Sequence, residues 1–184
     1  MNSDYDLYRL FLTGDVSAYD QLMLRYGDRL IFYLYSYLHN WHDSEDLMIE
    51  SFARIMAKKP LLKTESFKAY LYKVARNLAV HQHYWLLRHQ EFSPEDPDIE
   101  MADPESPENI YFDRNQKEIL DLCLKRIDPI EREALYLVYM EGLSYKETAD
   151  IMHVTTKKID HLLETGKKHM RKELEKEGVT DAHK

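Results

Sequence analysis

Two sets of side chains in this 184-residue sequence have the types and spacing to bind phosphate. Between Thr155 and Lys172, six cations (Lys157, Lys158, Lys167, Lys168, Arg171 and Lys172) face only Asp160 and Glu164. Between Ala53 and Gln90, Arg54, Lys58, Lys59, Lys63, Lys68, Lys73, Arg76 and Arg88 face Glu65 alone. Tyr84 and Trp85 lie within the second set. Ammonium and guanidinium groups pair with phosphate oxygens, and aromatic faces stack on unpaired bases. The net charge of −8 does not argue against this, because Glu91 to Asp113 holds nine acids and no Lys or Arg. Phosphate responds to the local field rather than to the total.

Chemistry of other kinds finds little support. There is no glycine-rich phosphate loop and no paired-cysteine motif. His81 and His83 are two apart, which on a helix points them in different directions. His39 and His42 are three apart but bring no third ligand, and His161 and His169 lie on an otherwise basic helix. All are read as unliganded. Glu45 and Asp46 sit in the first turn of a helix, where the macrodipole explains them. Cys123 falls among apolar helix positions and is read as a small core residue. A single Cys fits a reducing compartment. The sequence therefore predicts no metal, no cofactor and no enzymatic activity. No apolar run reaches 18 residues, and the acidic N-terminus lacks a signal pattern, so a cytoplasmic chain without membrane insertion is expected.

The elements that must hold these residues are helical. Five Gly and six Pro among 184 residues leave too few turns for an all-β fold. Leu7, Leu10 and Phe11 mark a first amphipathic face. Ala18, Leu22, Tyr26, Leu30, Leu34 and Leu38 mark a second. A third helix starts at "HDSEDL", with Asp43 or Ser44 as cap, carries Leu47, Phe52, Ile55 and Met56, and ends near Pro60. A fourth runs from Phe67 to about His89, with Phe67, Leu71, Val74, Ala75 and Leu78 facing inward. The acidic Pro-rich stretch that follows buries too little apolar surface to fold and is read as a flexible linker. Helical periodicity resumes with Ile119, Leu122, Cys123 and Ile127. Asp128 caps the next helix with Pro129 at its first position, and Gly142 ends it. Ser144 and Glu147 form a capping box for another. The last helix places Ile159, Leu163, Gly166, Met170 and Leu174 on one face. The expected architecture is all-α, with a helical domain at 1–90, a linker at 91–113, and a four-helix domain at 114–184 that contains a helix-turn-helix.

The ordered motifs resemble the extracytoplasmic-function sigma factors, small sigma subunits of bacterial RNA polymerase. The first half carries "AYDQLMLRYGDRL", then "DSEDLMIESF", similar to the family's Asp-x-Glu-Asp-Leu-x-Gln-x-x-Phe signature, then "FKAYLYKVARNLAV". The second half carries "EREALYLVYMEGLSYKETADIM". The resemblance implies that Asp43, Glu45, Asp46, Leu47, Glu50 and Phe52 dock on core RNA polymerase. It implies that Lys58, Lys59, Lys63, Lys73, Arg76, Asn77, Tyr84, Trp85 and Arg88 serve the minus-ten element of promoter DNA. Tyr84 and Trp85 either stack on bases or pack on neighbouring helices. The resemblance further implies that Lys157, Lys158, His161, Lys167, Lys168 and Arg171 serve the minus-thirty-five element, with the first three nearest the bases and the others on the backbone. An anti-sigma factor is the implied regulator.

The sequence departs from the family's usual pattern at several places, among them "HQHYWLLRH", which stands where a basic run usually follows the Ala-Arg-Asn stretch. His153 stands where the turn usually has Gly and must adopt that residue's conformation. Asp160 and Leu162 stand on the expected reading face, and Ile49 replaces the usual Gln. Two other readings stay open: a stand-alone helix-turn-helix regulator, and a sigma-derived interaction protein with reduced promoter reading.

Overall fold

The computed structural model describes residues 2–62, 67–89, 119 and 122–179. Every regular element among the described residues is helical: α1 (Asp4–Leu12), α2 (Val16–Leu38), α3 (Trp41–Lys58), α4 (Phe67–His89), α5 (Pro129–Leu135), α6 (Tyr145–Met152) and α7 (Thr156–Lys176). A π-helical turn, Tyr136–Met140, extends α5, and residues 122–126 form a short helical stretch before it. The described residues divide into two compact units, those of Met1–Gln90 with Lys146–Thr155, and those of Glu91–Tyr145 with Thr156–Lys184. The expected linker, 91–113, lies outside the described residues.

In the first unit α2 packs against α1, α3 and α4. Its predicted face is buried throughout: Ala18, Leu22, Tyr26, Leu30, Leu34 and Leu38. Asp15 caps its start by accepting from the Ser17 amide at 3.0 Å. α1 buries Leu7, Tyr8 and Phe11, whereas Leu10 turns outward. The Asp4 carboxylate accepts from both Arg25 and Tyr26, which ties the first turn of α1 to α2. This core is rich in tyrosine, and a buried tyrosine needs an acceptor for its hydroxyl. Tyr19 donates to the Phe52 carbonyl at 2.5 Å, and Tyr8 to the Pro60 carbonyl at 2.9 Å.

α3 begins earlier than predicted. Asn40 is its cap, accepting from the Asp43 amide at 3.1 Å, and Trp41 is already helical. Asp43 and Ser44 therefore lie inside the helix. α4 buries Phe67, Leu71, Tyr72, Ala75, Leu78 and Ala79, with Val74 only half-buried.

In the second unit α5 packs against α7. Asp128 caps α5 by accepting from the Ile130 amide at 2.9 Å, and Pro129 opens the helix as expected. Gly142, at φ +65°, follows the π-helical turn in a conformation that costs glycine little. Cys123 and Ile127 are buried, but Leu122 is not. α7 buries Ile159, Leu162, Leu163 and Gly166, while Met170 and Leu174 are half-buried. Gly166 sets the approach of the two helices, because a Cβ there would lie 3.1 Å from Leu135 Cδ1 and 3.3 Å from Glu131 Cβ. Glu131 also meets His169 Nδ1 at 2.6 Å. Arg126 reaches Glu177 at 2.6 Å and Glu173 at 3.6 Å.

Candidate nucleic-acid interface

The basic face of α7 follows from its buried one. With Ile159, Leu162, Leu163 and Gly166 turned inward, helical geometry sends Lys157, Lys158, His161, Lys167, Lys168 and Arg171 outward, and all six are exposed. Lys157, Lys158 and His161 occupy the first turns of the helix. Further along, Lys168 donates to Glu164 at 2.7 Å, which holds that carboxyl below its usual range. Lys167 lies with its ammonium 5.0 Å from the centre of the Tyr139 ring. A hydrogen bond with Tyr139 keeps that ammonium above the ordinary lysine value. Lys168 and Lys167 are thus partly committed within the unit.

Leu162 corrects one expectation. It is core, 3% exposed, and does not belong to the reading face. Of the two unusual residues there, only Asp160 is at the surface. His153 does adopt the conformation left by the missing glycine, at φ 57°. The Val154 amide closes the turn on the Ala149 carbonyl at 3.0 Å.

α4 and the end of α3 carry the second set. Tyr84 and Trp85 are 60% and 53% exposed, so neither is a core residue. Arg88 is exposed, and Lys73 and Arg76 are half-buried. Asn77 is exposed, with its Oδ1 3.0 Å from His153 Nε2. Lys58 is exposed in the last turn of α3. Lys59 caps that helix at φ 44°, its ammonium 5.2 Å from the Phe11 ring centre. Lys63 lies outside the described residues.

The third group, on α3, divides in two. Asp46 and Glu50 are exposed, and Asp43 and Glu45 half-buried. Glu45 accepts from the Trp41 indole at 2.9 Å, Asp46 lies 3.8 Å from His42, and Glu50 accepts from Arg54 at 2.6 Å. Leu47 and Phe52, by contrast, are 5% and 1% exposed and cannot touch a partner. The apolar residues on the outer face of α3 are Ile49 and Met56, so Met56 departs from the apolar set it was expected to share with Leu47, Phe52 and Ile55. Leu61, just beyond α3, is exposed too and was missed. Among the described residues no group of His, Cys, Asp and Glu is placed to hold a metal. No helix among them is long and apolar enough to cross a membrane.

Residues 22–89 match the family Sigma-70 region 2, and residues 117–170 match Sigma-70, region 4, together more than half of the chain. The chain is 30% identical over 172 residues to ECF RNA polymerase sigma factor SigE of Mycolicibacterium smegmatis, covering 89% of this chain and 65% of that one. It is 29% identical over 145 residues to ECF RNA polymerase sigma factor BldN of Streptomyces coelicolor, covering 76% and 53%. It spans less than two thirds of either relative. Against ECF RNA polymerase sigma factor SigM of Bacillus subtilis it is 26% identical over 162 residues, 88% of this chain and 98% of the other. Among solved structures, CnrH in complex with the cytosolic domain of CnrY aligns at TM-score 0.66 and 16% identity, covering 95% and 98%. The sigma factor RpoE in complex with the anti-sigma factor NepR from Bartonella quintana aligns at 0.65 and 20%, covering 85% and 96%. These two share the fold.

Proposed function

We infer that this chain, which belongs to the extracytoplasmic-function sigma factors of the Sigma-70 type, binds core RNA polymerase and directs it to a bipartite promoter whose strands it helps to open. The reading divides the chain into a region-2-like domain at 1–90, an acidic tether at 91–113 and a region-4-like domain at 114–184. One observation carries it. A single chain presents an exposed aromatic pair beside cations on α4, suited to unstacked bases, and exposed cations at the start of α7, suited to duplex DNA. A regulator of duplex DNA alone has no use for the first of these surfaces.

Asp46 and Glu50, exposed on α3 beside Ile49, supply the acidic part of the surface offered to polymerase. Lys157, Lys158 and His161 meet the minus-thirty-five duplex, and Lys58, Tyr84, Trp85 and Arg88 meet the opened minus-ten strand. The work is non-catalytic, needs no cofactor and takes place in the cytoplasm. An anti-sigma protein is the proposed regulator, since RpoE of Bartonella quintana is crystallised with one.

The test is transcription by the full chain with core polymerase on a randomised promoter library, followed by sequencing of the transcripts. The reading requires starts downstream of a shared two-part sequence. Core binding without selected starts would refute it.

A further inference from the structure

Two carboxylates stand among the cations in the first half of α7, Asp160 and Glu164, and both are exposed. Their surroundings differ. Glu164 is answered within the helix: Lys168, one turn on, donates to it at 2.7 Å and holds its carboxyl below the usual range. Asp160 makes no hydrogen bond and no ion pair among the described residues. Its charge reaches Lys167, two turns on, only at a distance. With Leu162 in the core, Asp160 is the residue at which this surface departs from a basic one without an internal partner to offset it.

The usual accounts of a surface acid do not cover it. Asp160 is the fifth residue of α7, past the first turn in which the helix dipole stabilises a carboxylate. The residue four places on is Glu164, and like charges at that spacing destabilise a helix. Being exposed, it adds nothing to the core.

Against DNA a carboxylate is repelled by phosphate, so it is tolerated only where it meets a donor. An ionised carboxylate accepts hydrogen bonds and donates none. In the major groove guanine presents two acceptors, and thymine an acceptor and a methyl group. Adenine sets an acceptor beside its amino group, whereas cytosine presents its amino group as a donor. Facing guanine or thymine, the carboxylate would lose its water and gain no partner. Lys157, three residues earlier, is its neighbour on the helix surface and is exposed. A phosphate held by Lys157 seats the helix, and the carboxylate one turn on is left to meet base edges.

We propose that Asp160 is a specificity-determining residue: its carboxylate accepts from the amino group of a cytosine in the major groove of the minus-thirty-five duplex, so that this chain selects cytosine at one position of that element. The inference rests on the sigma-factor reading above. It makes the acid a reader rather than the mark of a reading surface that has been lost.

The experiment compares wild type, Asp160→Asn and Asp160→Ala, all full-length with core polymerase. The promoters share one minus-ten element selected from the library and are randomised across the minus-thirty-five element, and the transcripts are sequenced. Wild type should enrich cytosine on one strand by about tenfold over the other bases at a single position. Asp160→Ala should flatten that position to within about twofold and leave the preferences at the other positions as they are in wild type. Asp160→Asn, whose amide both donates and accepts, should move the position from cytosine to adenine. Each result is a ratio between sequences in one reaction, so a loss of stability, which lowers all sequences alike, does not imitate it. A cytosine preference that persists in either variant would overturn the proposal. So would a uniform gain on every sequence by both variants, which is the result of relieved phosphate repulsion alone. Failure of wild type to select any two-part sequence would instead refute the sigma-factor reading, and this proposal with it.

Discussion

The hydroxyl of Tyr19 donates to the main-chain carbonyl of Phe52 across 2.5 Å, inside the core of the first unit. The same helix therefore has Phe52 turned inward and Asp46 and Glu50 turned out. Removing the hydroxyl in Tyr19→Phe should cost about 0.5–1.5 kcal/mol in urea denaturation. Truncating the ring in Phe52→Ala should cost about 3–5 kcal/mol. Asp46→Ala should weaken core-polymerase binding at unchanged stability. If its affinity equals that of wild type, α3 is not the docking helix.

Alkaline pH should destabilise the first unit. Burial raises the Tyr8 hydroxyl to about 12 and moves Tyr19 in the same direction, whereas an unfolded tyrosine titrates near 10. The fold thus favours the neutral hydroxyls. That contribution is fully present below about pH 10 and is lost as pH rises through the folded value. Denaturation midpoints at pH 8 and pH 11 should differ more for wild type than for Tyr8→Phe.

His153 sits at φ 57°, where a branched side chain clashes with the backbone. His153→Val should destabilise the chain by about 1–2 kcal/mol, and His153→Gly should not. Thermal melts of the two variants against wild type decide it. A Val variant as stable as wild type would mean the turn rearranges.

The two DNA surfaces should separate by substrate. Trp85→Ala should weaken binding to an opened minus-ten strand by about 1–3 kcal/mol and leave minus-thirty-five duplex affinity alone. Lys158→Ala should weaken the duplex and, if it meets phosphate, lower the salt slope by about one. Titrations of polymerase-bound protein at several salt concentrations measure both.

What the sequence made legible depended on how each residue satisfies its polar atoms. All six positions expected on the α2 face are buried, because they recur at helical spacing along a 23-residue helix, but Tyr19, Gly27, Ile31 and Tyr33 widen that face beyond the expected stripe. α3 was harder. Its buried stripe runs Ser44, Leu47, Ser51, Phe52, Ile55, and two of those five are serines. Each hydroxyl bonds a carbonyl one turn back, Ser44 to Asn40 at 2.6 Å and Ser51 to Leu47 at 2.7 Å, so burial costs little. Counting serine as polar hid the stripe and left Leu47 and Phe52 open to a partner role. Including both serines would have placed Ile49 outside. The start of α3 was ambiguous for a similar reason, since Asn40, Asp43 and Ser44 are all good caps and type alone does not choose among them. On α7, Leu162 completes an i, i+3, i+4, i+7 stripe with Ile159, Leu163 and Gly166, so its inward direction was readable. The bond from Tyr8 to Pro60 was not, because nothing local links residues 52 apart.

The two tryptophans of the chain both avoid the deep core. Trp41 is half-buried at the start of α3 against Phe32 and Tyr35, and Trp85 is on the exposed face of α4, while the interior of the first unit is built from tyrosine and phenylalanine. Intrinsic fluorescence is thereby sorted by place. Tryptophan emission comes from two indoles, one of them solvent-facing on the proposed nucleic-acid surface. A base stacked on that indole quenches it, so an unlabelled chain reports by its own light when a single strand arrives.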